Sequence, residues 1–426
     1  MWGCSRTGAG VIFALAVSAC GSDEKSTRAA ATGGSAGTDG GAGSGGSGGS
    51  AGEPAAPTFE KFELTSEFHS EGASYGDFDG DGIGDVVAGP FVYRGPDFKA
   101  TIQIYPPVFF DRIGYSDNFF AFPRDLDGNG TLDVLFVNFP GKDAYWYENP
   151  KQVGAAWVRH SVLDEVSTES PRFTDLTGDG LPELVCANGG KLGWAEPGAD
   201  PAQPWPFHPA SEFKDYKPFT HGLGVGDIDG DGRKEILEAP GFWTPPASLI
   251  GDPVWSFEAH QFGGGGADMF ATDVDGDGDA DVIASLAAHG YGISWFEQVK
   301  GASGREFVEH PIAAKDPANP GDLEVIHEPH ALALADVNGD GLLDIVTGER
   351  FWGHYDGWPS ELASPAKLYW FELRRDAGGT RYIPHLIDDA SGVGTQVVAG
   401  DVNADGRIDV VLSNKKGAFV FLQRAP

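Results

Sequence analysis

One nonapeptide occurs seven times and constrains everything else this chain can fold into. Its pattern is Asp at position 1, Asp, Asn or Thr at 3, Asp or Asn at 5, Gly at 6 and Asp or Glu at 9, with copies starting at Asp77, Asp125, Asp175, Asp227, Asp273, Asp336 and Asp401. The starts are 48, 50, 52, 46, 63 and 65 residues apart. A step of about 50 residues suits one four-stranded sheet with its turns. Such units bury their apolar faces only against one another, so the repeat predicts a ring or stack of sheets.

The chemistry of the nonapeptide points to calcium. A hard divalent cation takes six to eight oxygen ligands in a flexible shell. Side-chain oxygens at positions 1, 3, 5 and 9 supply most of them: Asp77, Asp79, Asp81 and Asp85; Asp125, Asp127, Asn129 and Asp133; Asp175, Thr177, Asp179 and Glu183; Asp227, Asp229, Asp231 and Glu235; Asp273, Asp275, Asp277 and Asp281; Asp336, Asn338, Asp340 and Asp344; Asp401, Asn403, Asp405 and Asp409. These hold 24 of the 63 acidic residues, and seven bound Ca²⁺ ions would bring the net charge from −34 to −20. The third copy, with Thr177 and Glu183, is expected to bind calcium more weakly. A helical calcium hand needs Glu at position 12, and only Glu238 meets that; Ala88, Phe136, Cys186, Ala284, Thr347 and Leu412 stand elsewhere. Apolar pairs follow position 9 at once, from Val86-Val87 to Val410-Val411. The loop therefore joins strand to strand. In this it resembles the calcium hairpin of the FG-GAP or VCBS repeat of integrin α-like propellers. The resemblance implies an all-β, seven-bladed β-propeller over residues 58–426, with up to seven structural Ca²⁺ ions.

Two further motifs mark the third and fourth strands of each unit: Trp146-Tyr147-Glu148, Trp194-Ala195-Glu196, Trp295-Phe296-Glu297 and Trp370-Phe371-Glu372, then Trp157/His160, Trp205/His208, Phe307/His310 and Tyr382/His385. The last unit runs out after Ala418–Gln423, while Phe59–Leu64 precedes the first motif where a fourth strand belongs. These two segments are expected to pair and close the ring, which removes exposed strand edges.

Ahead of this domain the chain changes character. Arg6, an apolar run from Val11 to Val17 and small residues read as an export signal over residues 1–19, too short to span a membrane. Val17-Ser18-Ala19-Cys20 resembles a bacterial lipobox, which implies acylation of Cys20; Gly21 after it resembles outer-membrane sorting. Residues 20–57 are Gly/Ser/Ala-rich and read as a flexible tether. The expected location is the outer membrane or cell surface, with the lipid as the only membrane contact and a monomeric chain. A charge of −34 excludes nucleic acid as a partner, because a phosphate backbone calls for a basic face.

Residues that recur in every unit belong to the scaffold, so a functional site is sought among those that do not. Six residues before each motif the sequence reads Glu71, Phe119, Glu169, His221, Ala267, His330 and Thr395. These positions lead into the innermost strands from the end opposite the calcium loops. Loops between second and third strands add Arg94, Trp243, His289, Arg350, Trp352, His354 and Lys415 at the same end. Glu71, Glu169, His221 and His330 are the candidate acid–base or further metal-binding residues at this channel mouth, with Arg350 as a candidate catalytic residue beside them. His69, Trp243, His289, His327, Glu328, Trp352, His354 and Lys415 are candidates for ligand contact. Two functions fit: a tethered module that binds a carbohydrate or protein, or a sugar lyase or dehydratase. The second rests on His327-Glu328-Pro329-His330 followed by Glu349-Arg350-Phe351-Trp352-Gly353-His354, which resembles the propeller domain of aldos-2-ulose dehydratase. In that reading His330 or His221 abstracts a proton beside a carbonyl, and Arg350 or a bound metal stabilises the enolate.

Overall fold

The second strand of each unit begins on the ninth residue of its nonapeptide: Asp85–Ala88, Asp133–Val137, Glu183–Asn188, Glu235–Glu238, Asp281–Ser285, Asp344–Gly348 and Asp409–Asn414. The computed structural model describes residues 56–425 except 153, 303, 316–324, 352 and 354–365, and these belong to the unit Pro54–Pro426. The leader, Cys20, the tether, Trp352 and His354 lie outside the described residues. The described residues form 28 strands and no helix. Nearly every residue of the second strands is buried, because their sheets are covered on both faces. That is why they read as unbroken apolar runs rather than as alternating ones.

The ninth carboxyl group fastens each nonapeptide loop to its own sheet. One of its oxygens accepts the backbone N–H of motif position 2 in all seven copies, at 2.6–3.0 Å. In five copies the other oxygen accepts a backbone N–H from within or directly after the third strand, from Gly95, Asn149, Gln298, Leu373 and Gln423. The turn needs a left-handed residue at position 6, as at Gly82 with φ +85°.

The strands are arranged as a β-propeller: successive antiparallel groups of four, each running outward from an innermost strand. Five groups are separate four-stranded sheets. The expectation of seven separate blades is corrected here, because the fourth and fifth groups are merged into one eight-stranded sheet. Their innermost strands, Leu223–Gly226 and Asp268–Thr272, pair in parallel through Leu223–Asp268 and Gly224–Met269. Glycine makes the contact physically possible. A Cβ on Gly224 would meet the Met269 carbonyl oxygen at 2.5 Å, and one on Gly226 would meet Ala271 Cβ at 2.6 Å.

Apolar side chains form seven clusters, each shared by two successive groups of strands. One holds Ala73, Val86 and Tyr93 from the first group with Val411, Val420 and Leu422 from the last. Thr58–Thr65 pairs antiparallel with Gly417–Arg424, in register from Thr58–Arg424 to Glu63–Phe419, which is the expected partnership of first and last strands. The recurrent Trp and His residues staple third strand to fourth. His160, His310 and His385 stack on Trp146, Trp295 and Trp370 at centroid distances of 4.3–4.4 Å. Their Nε2 atoms lie 2.7–3.0 Å from Glu148, Glu297 and Glu372.

Two expected loop residues sit elsewhere. Trp243 belongs to the strand Gly241–Thr244, is 3% exposed, and packs in the cluster between the third and fourth groups while its indole N–H donates to Glu238 at 2.9 Å. It is a core residue and offers no face to a ligand. Arg94 ends the strand Phe91–Arg94 on the side of the nonapeptide loops, where its guanidinium pairs with Asp79 and lies 3.7 Å from Asp81.

Candidate metal centre

The loops leading into the innermost strands are stitched together across successive groups, and this fixes the side chains they carry. Glu71 N donates to Asn118 O at 2.9 Å, Thr395 N to Glu71 O at 3.1 Å, and Glu169 N to Thr220 O at 3.0 Å. Arg350 N donates to Glu328 O at 3.1 Å. Glycine is again required where two carbonyls crowd the axis: a Cβ on Gly394 would lie 2.0 Å from Glu71 O and 2.1 Å from Ser413 O.

Four side chains from four strand groups converge there. Glu169, His221, His289 and His330 each offer one donor atom, and all four atoms lie within 4.8 Å of one another. His221 Nε2 is 3.0 Å from Glu169 Oε2, and His330 Nε2 is 3.1 Å from Glu169 Oε1. Despite these distances, Glu169 Oε2, His221 Nε2 and His330 Nε2 are buried with no hydrogen-bond partner among the described residues. The three imidazole rings pack with centroids 4.8–5.4 Å apart. Imidazole nitrogens and carboxylate oxygens that converge this closely could share a common cation. Three imidazole nitrogens and one carboxylate oxygen suit a first-row transition ion such as zinc.

A buried Arg350 supports the cluster from behind. Its Nη2 donates to Glu71 Oε2 at 2.6 Å and its Nη1 to Glu169 Oε1 at 3.1 Å. Glu169 Oε1 is thereby shared by Arg350 and His330 while Oε2 faces His221, so Arg350 orients the carboxylate from behind as an outer partner orients a metal ligand. Glu328 adds a third buried carboxyl group beside Arg350, with φ +48°. Burial followed by the Arg350 charge pushes the His330 imidazole down to about 3, so at neutral pH it is an uncharged ring with a free lone pair. Burial opposes the charge on Glu169, but His330, His221 and Arg350 outweigh it and hold its carboxyl well below the usual range. A divalent cation would offset the excess of buried negative groups.

The remaining candidates lie around this cluster rather than in it. His69 is buried, its Nδ1 lies 2.8 Å from Val108 O, and its ring packs against Phe91 and Phe109. The His327 ring packs edge-on to Tyr291 at 5.3 Å. The Lys415 ammonium lies over the Tyr115 ring at 4.2 Å and is buried.

The nonapeptide loops make a second, chemically different set of donors. Asp77, Asp79 and Asp85 bring ligand oxygens together, as do Asp125, Asp127 and Asp133, Asp175, Asp179 and Glu183, and Asp227, Asp229 and Glu235. Burial pushes the ninth carboxyl groups up, to about 6 for Asp85, Asp281 and Asp409 and to about 7 for Asp133, Glu235 and Asp344. Their neighbouring motif carboxylates push the same way, and Glu235 Oε1 is buried without a hydrogen bond among the described residues. An oxygen cage of this kind fits calcium. In the third loop Thr177 Oγ1 donates to Glu183 Oε1 at 3.0 Å, which occupies one of its oxygens.

Family models for the FG-GAP-like repeat match residues 125–186 and 175–238, and one for the FG-GAP repeat matches 329–357. FG-GAP repeats are thus found at residues 125–238 and 329–357. Each matched segment contains a nonapeptide loop and the second strand that follows it. No curated protein matches the chain. Among solved structures, an Agrocybe aegerita lectin described as recognising non-reducing terminal N-acetylglucosamine is similar at 15% identity, covering 83% of this chain and 85% of its own, with a TM-score of 0.43. An exotype rhamnogalacturonan lyase is similar at 13% identity over 83% of this chain and 72% of its own, with a TM-score of 0.45. A biofilm matrix protein of V. cholerae is similar at 9% identity over 87% of this chain and 92% of its own, with a TM-score of 0.43.

Proposed function

We propose that this protein is a calcium-stabilised FG-GAP propeller whose axis holds a transition-metal ion, and that it acts there on a carbohydrate by elimination of the lyase or dehydratase type. The observation that carries the proposal is the meeting of Glu169, His221, His289 and His330 within 4.8 Å. None of the four is part of the repeating pattern, so the scaffold does not require them. Bound at these residues, the ion would supply Lewis acidity toward a carbonyl or hydroxyl oxygen. Arg350 orients Glu169 and neutralises part of the buried charge. Glu71 Oε1 is buried with no hydrogen bond among the described residues, and it is the carboxylate oxygen placed to take a proton.

The same proposal counts the eight-stranded sheet as two blades, giving seven in a closed ring. The cluster joining first and last groups and the Thr58–Thr65 pairing support that count. Calcium in the loops is supported by their crowded carboxylate oxygens and the burial of the ninth carboxyl group. Export and anchoring through Cys20 are supported by the sequence of residues 1–20.

A second reading has its own observation. Phe109, Phe213 and Phe219 are 66%, 63% and 43% exposed in loops at the calcium-free end, a surface suited to binding a glycan or protein without chemistry. Elemental analysis of protein purified with excess calcium separates the two. About one equivalent of transition metal, absent from a His221→Ala/His330→Ala variant, is expected alongside new ultraviolet absorbance from unsaturated sugar products. Metal-free protein with full stability and a flat absorbance would reject the metal centre and leave the binding module.

A further inference from the structure

The innermost strands surround a cavity of about 370 Å³ on the axis. That is at the lower end of the roughly 300–1,000 Å³ range of small-molecule pockets. Much of its wall is one layer of the repeat, three residues ahead of each nonapeptide: Ser74, Phe122, Arg172, Phe270, Ala333 and Val398. The fourth group supplies Gly224 at that level, and no residue of its innermost strand lines the cavity. Exposure changes along the axis. Phe120, Asp268, Leu332 and Gln396 are buried, whereas Phe122, Thr174, Leu334 and Ala399, nearer the calcium loops, are half-buried. Beyond the buried layer stand Glu169 and His330, 3% and 1% exposed. The chamber therefore opens toward the calcium loops and is closed at the metal-type cluster.

Its polar equipment is a crossed ion pair. Arg172 Nη1 lies 2.7 Å from Asp268 Oδ1, and Asp268 Oδ2 accepts Leu332 N–H at 2.9 Å. The guanidinium sits 4.8 Å over the Phe270 ring and makes no other hydrogen bond among the described residues. Its remaining N–H groups are held in place without partners. Phe122 stacks on Phe120 with centroids 6.0 Å apart and meets Phe173 at 5.6 Å, so aromatic faces make up much of the rest of the wall.

A paired Arg and Asp present fixed donors and acceptors with no net charge. That combination serves hydroxyl groups, which both donate and accept. It does not favour an anion, which would face Asp268 inside a protein of net charge −34. Aromatic faces suit the C–H faces of a ring. We propose that the axial chamber binds a neutral polyhydroxylated ring the size of one monosaccharide, entering from the calcium-loop end.

The inference does not depend on a metal. Saturation-transfer NMR on the whole chain in calcium, with methyl α-glucoside and methyl α-galactoside as probes and glucuronate as the charged comparator, tests it. Transfer to at least one neutral glycoside is expected, with weaker transfer to glucuronate. Val398→Trp fills the chamber and should abolish the signal. Arg172→Lys keeps the pair with Asp268 but withdraws the planar fork, and should weaken binding several-fold; it decides the matter if Val398→Trp does not fold. No transfer to either glycoside, a signal that survives Val398→Trp in folded protein, or unchanged binding in Arg172→Lys would overturn the proposal. Elemental analysis of the same samples reports on the metal centre separately.

Discussion

At one end of the propeller axis the donors are carboxylate oxygens repeated in every unit; at the other they are imidazole nitrogens used once each. The nonapeptide oxygens at positions 1, 3 and 5 are mostly half-exposed or exposed and are organised by backbone N–H groups of their own loop, as where Gly80 and Gly82 donate to Asp77. The cluster of Glu169, His221, His289 and His330 is assembled from distant parts of the chain and leans on Arg350, 181 residues from Glu169. A local loop can be copied, so it serves the scaffold. A non-local cluster of buried polar groups is not explained by the repeat and calls for a reason of its own.

The largest expected contrast is chelation. Removing calcium should lower the melting temperature sharply, since each loop loaded a hundredfold above its Kd contributes about 2.7 kcal/mol. The pH dependence has a definite sign. Burial holds six of the ninth carboxyl groups, all but Glu183, at about 6 to 7 when folded and metal-free, against roughly 4 when unfolded. Their contribution is fully present below pH ~4 and is lost as pH rises through 6 and 7. Thermal melts in EDTA should therefore fall between pH 5 and pH 8 (about one unit either side of those values), and calcium should flatten the decline. A melt indifferent to EDTA would remove the scaffold half of the comparison.

Next in size is Arg350→Met, which leaves Glu71 and Glu169 buried without their cation and should cost about 3–5 kcal/mol in denaturant unfolding. Calcium stoichiometry should not change; a matching calcium loss would mean the two ends are one coupled system. His330→Ala should weaken transition-metal binding by at least the roughly 10–100-fold that loss of an outer partner costs, read by competition with a chromogenic chelator. Retained affinity would place the ion elsewhere. The smallest effect is expected from Thr177→Asp, which adds a carboxylate to the third loop and should tighten its calcium by about tenfold or less in titration calorimetry. Weaker binding would show that the Thr177–Glu183 hydrogen bond helps the loop rather than competing with calcium.

Much of this was legible in the sequence because the repeat supplies its own alignment. Counting six residues back from each nonapeptide singled out Glu71, Glu169, His221 and His330, and all four lie in the axial cluster or its Arg350 network. The same count taken three residues back would have exposed Arg172, the lone charged residue of that layer. What pattern could not supply was the depth of a side chain near a strand end. Trp243 and Arg94 read as loop residues from pattern because hairpin boundaries shift by one or two positions, and a shift of one reverses the face. The merged sheet was equally hidden: Gly224 and Gly226 read as weak strand formers, whereas their missing Cβ atoms let two innermost strands hydrogen-bond.

The partnership of Thr58–Thr65 with Gly417–Arg424 places Thr58 opposite Arg424, so the order in which the gene writes the units is arbitrary with respect to the fold. A short linker could join these neighbours, and new termini could be opened in an exposed connection, such as the one that carries Phe109 between the first two strand groups, without breaking a strand pairing. Circular permutants are thus available as a tool: each would present the same axis while moving the point of attachment around the rim.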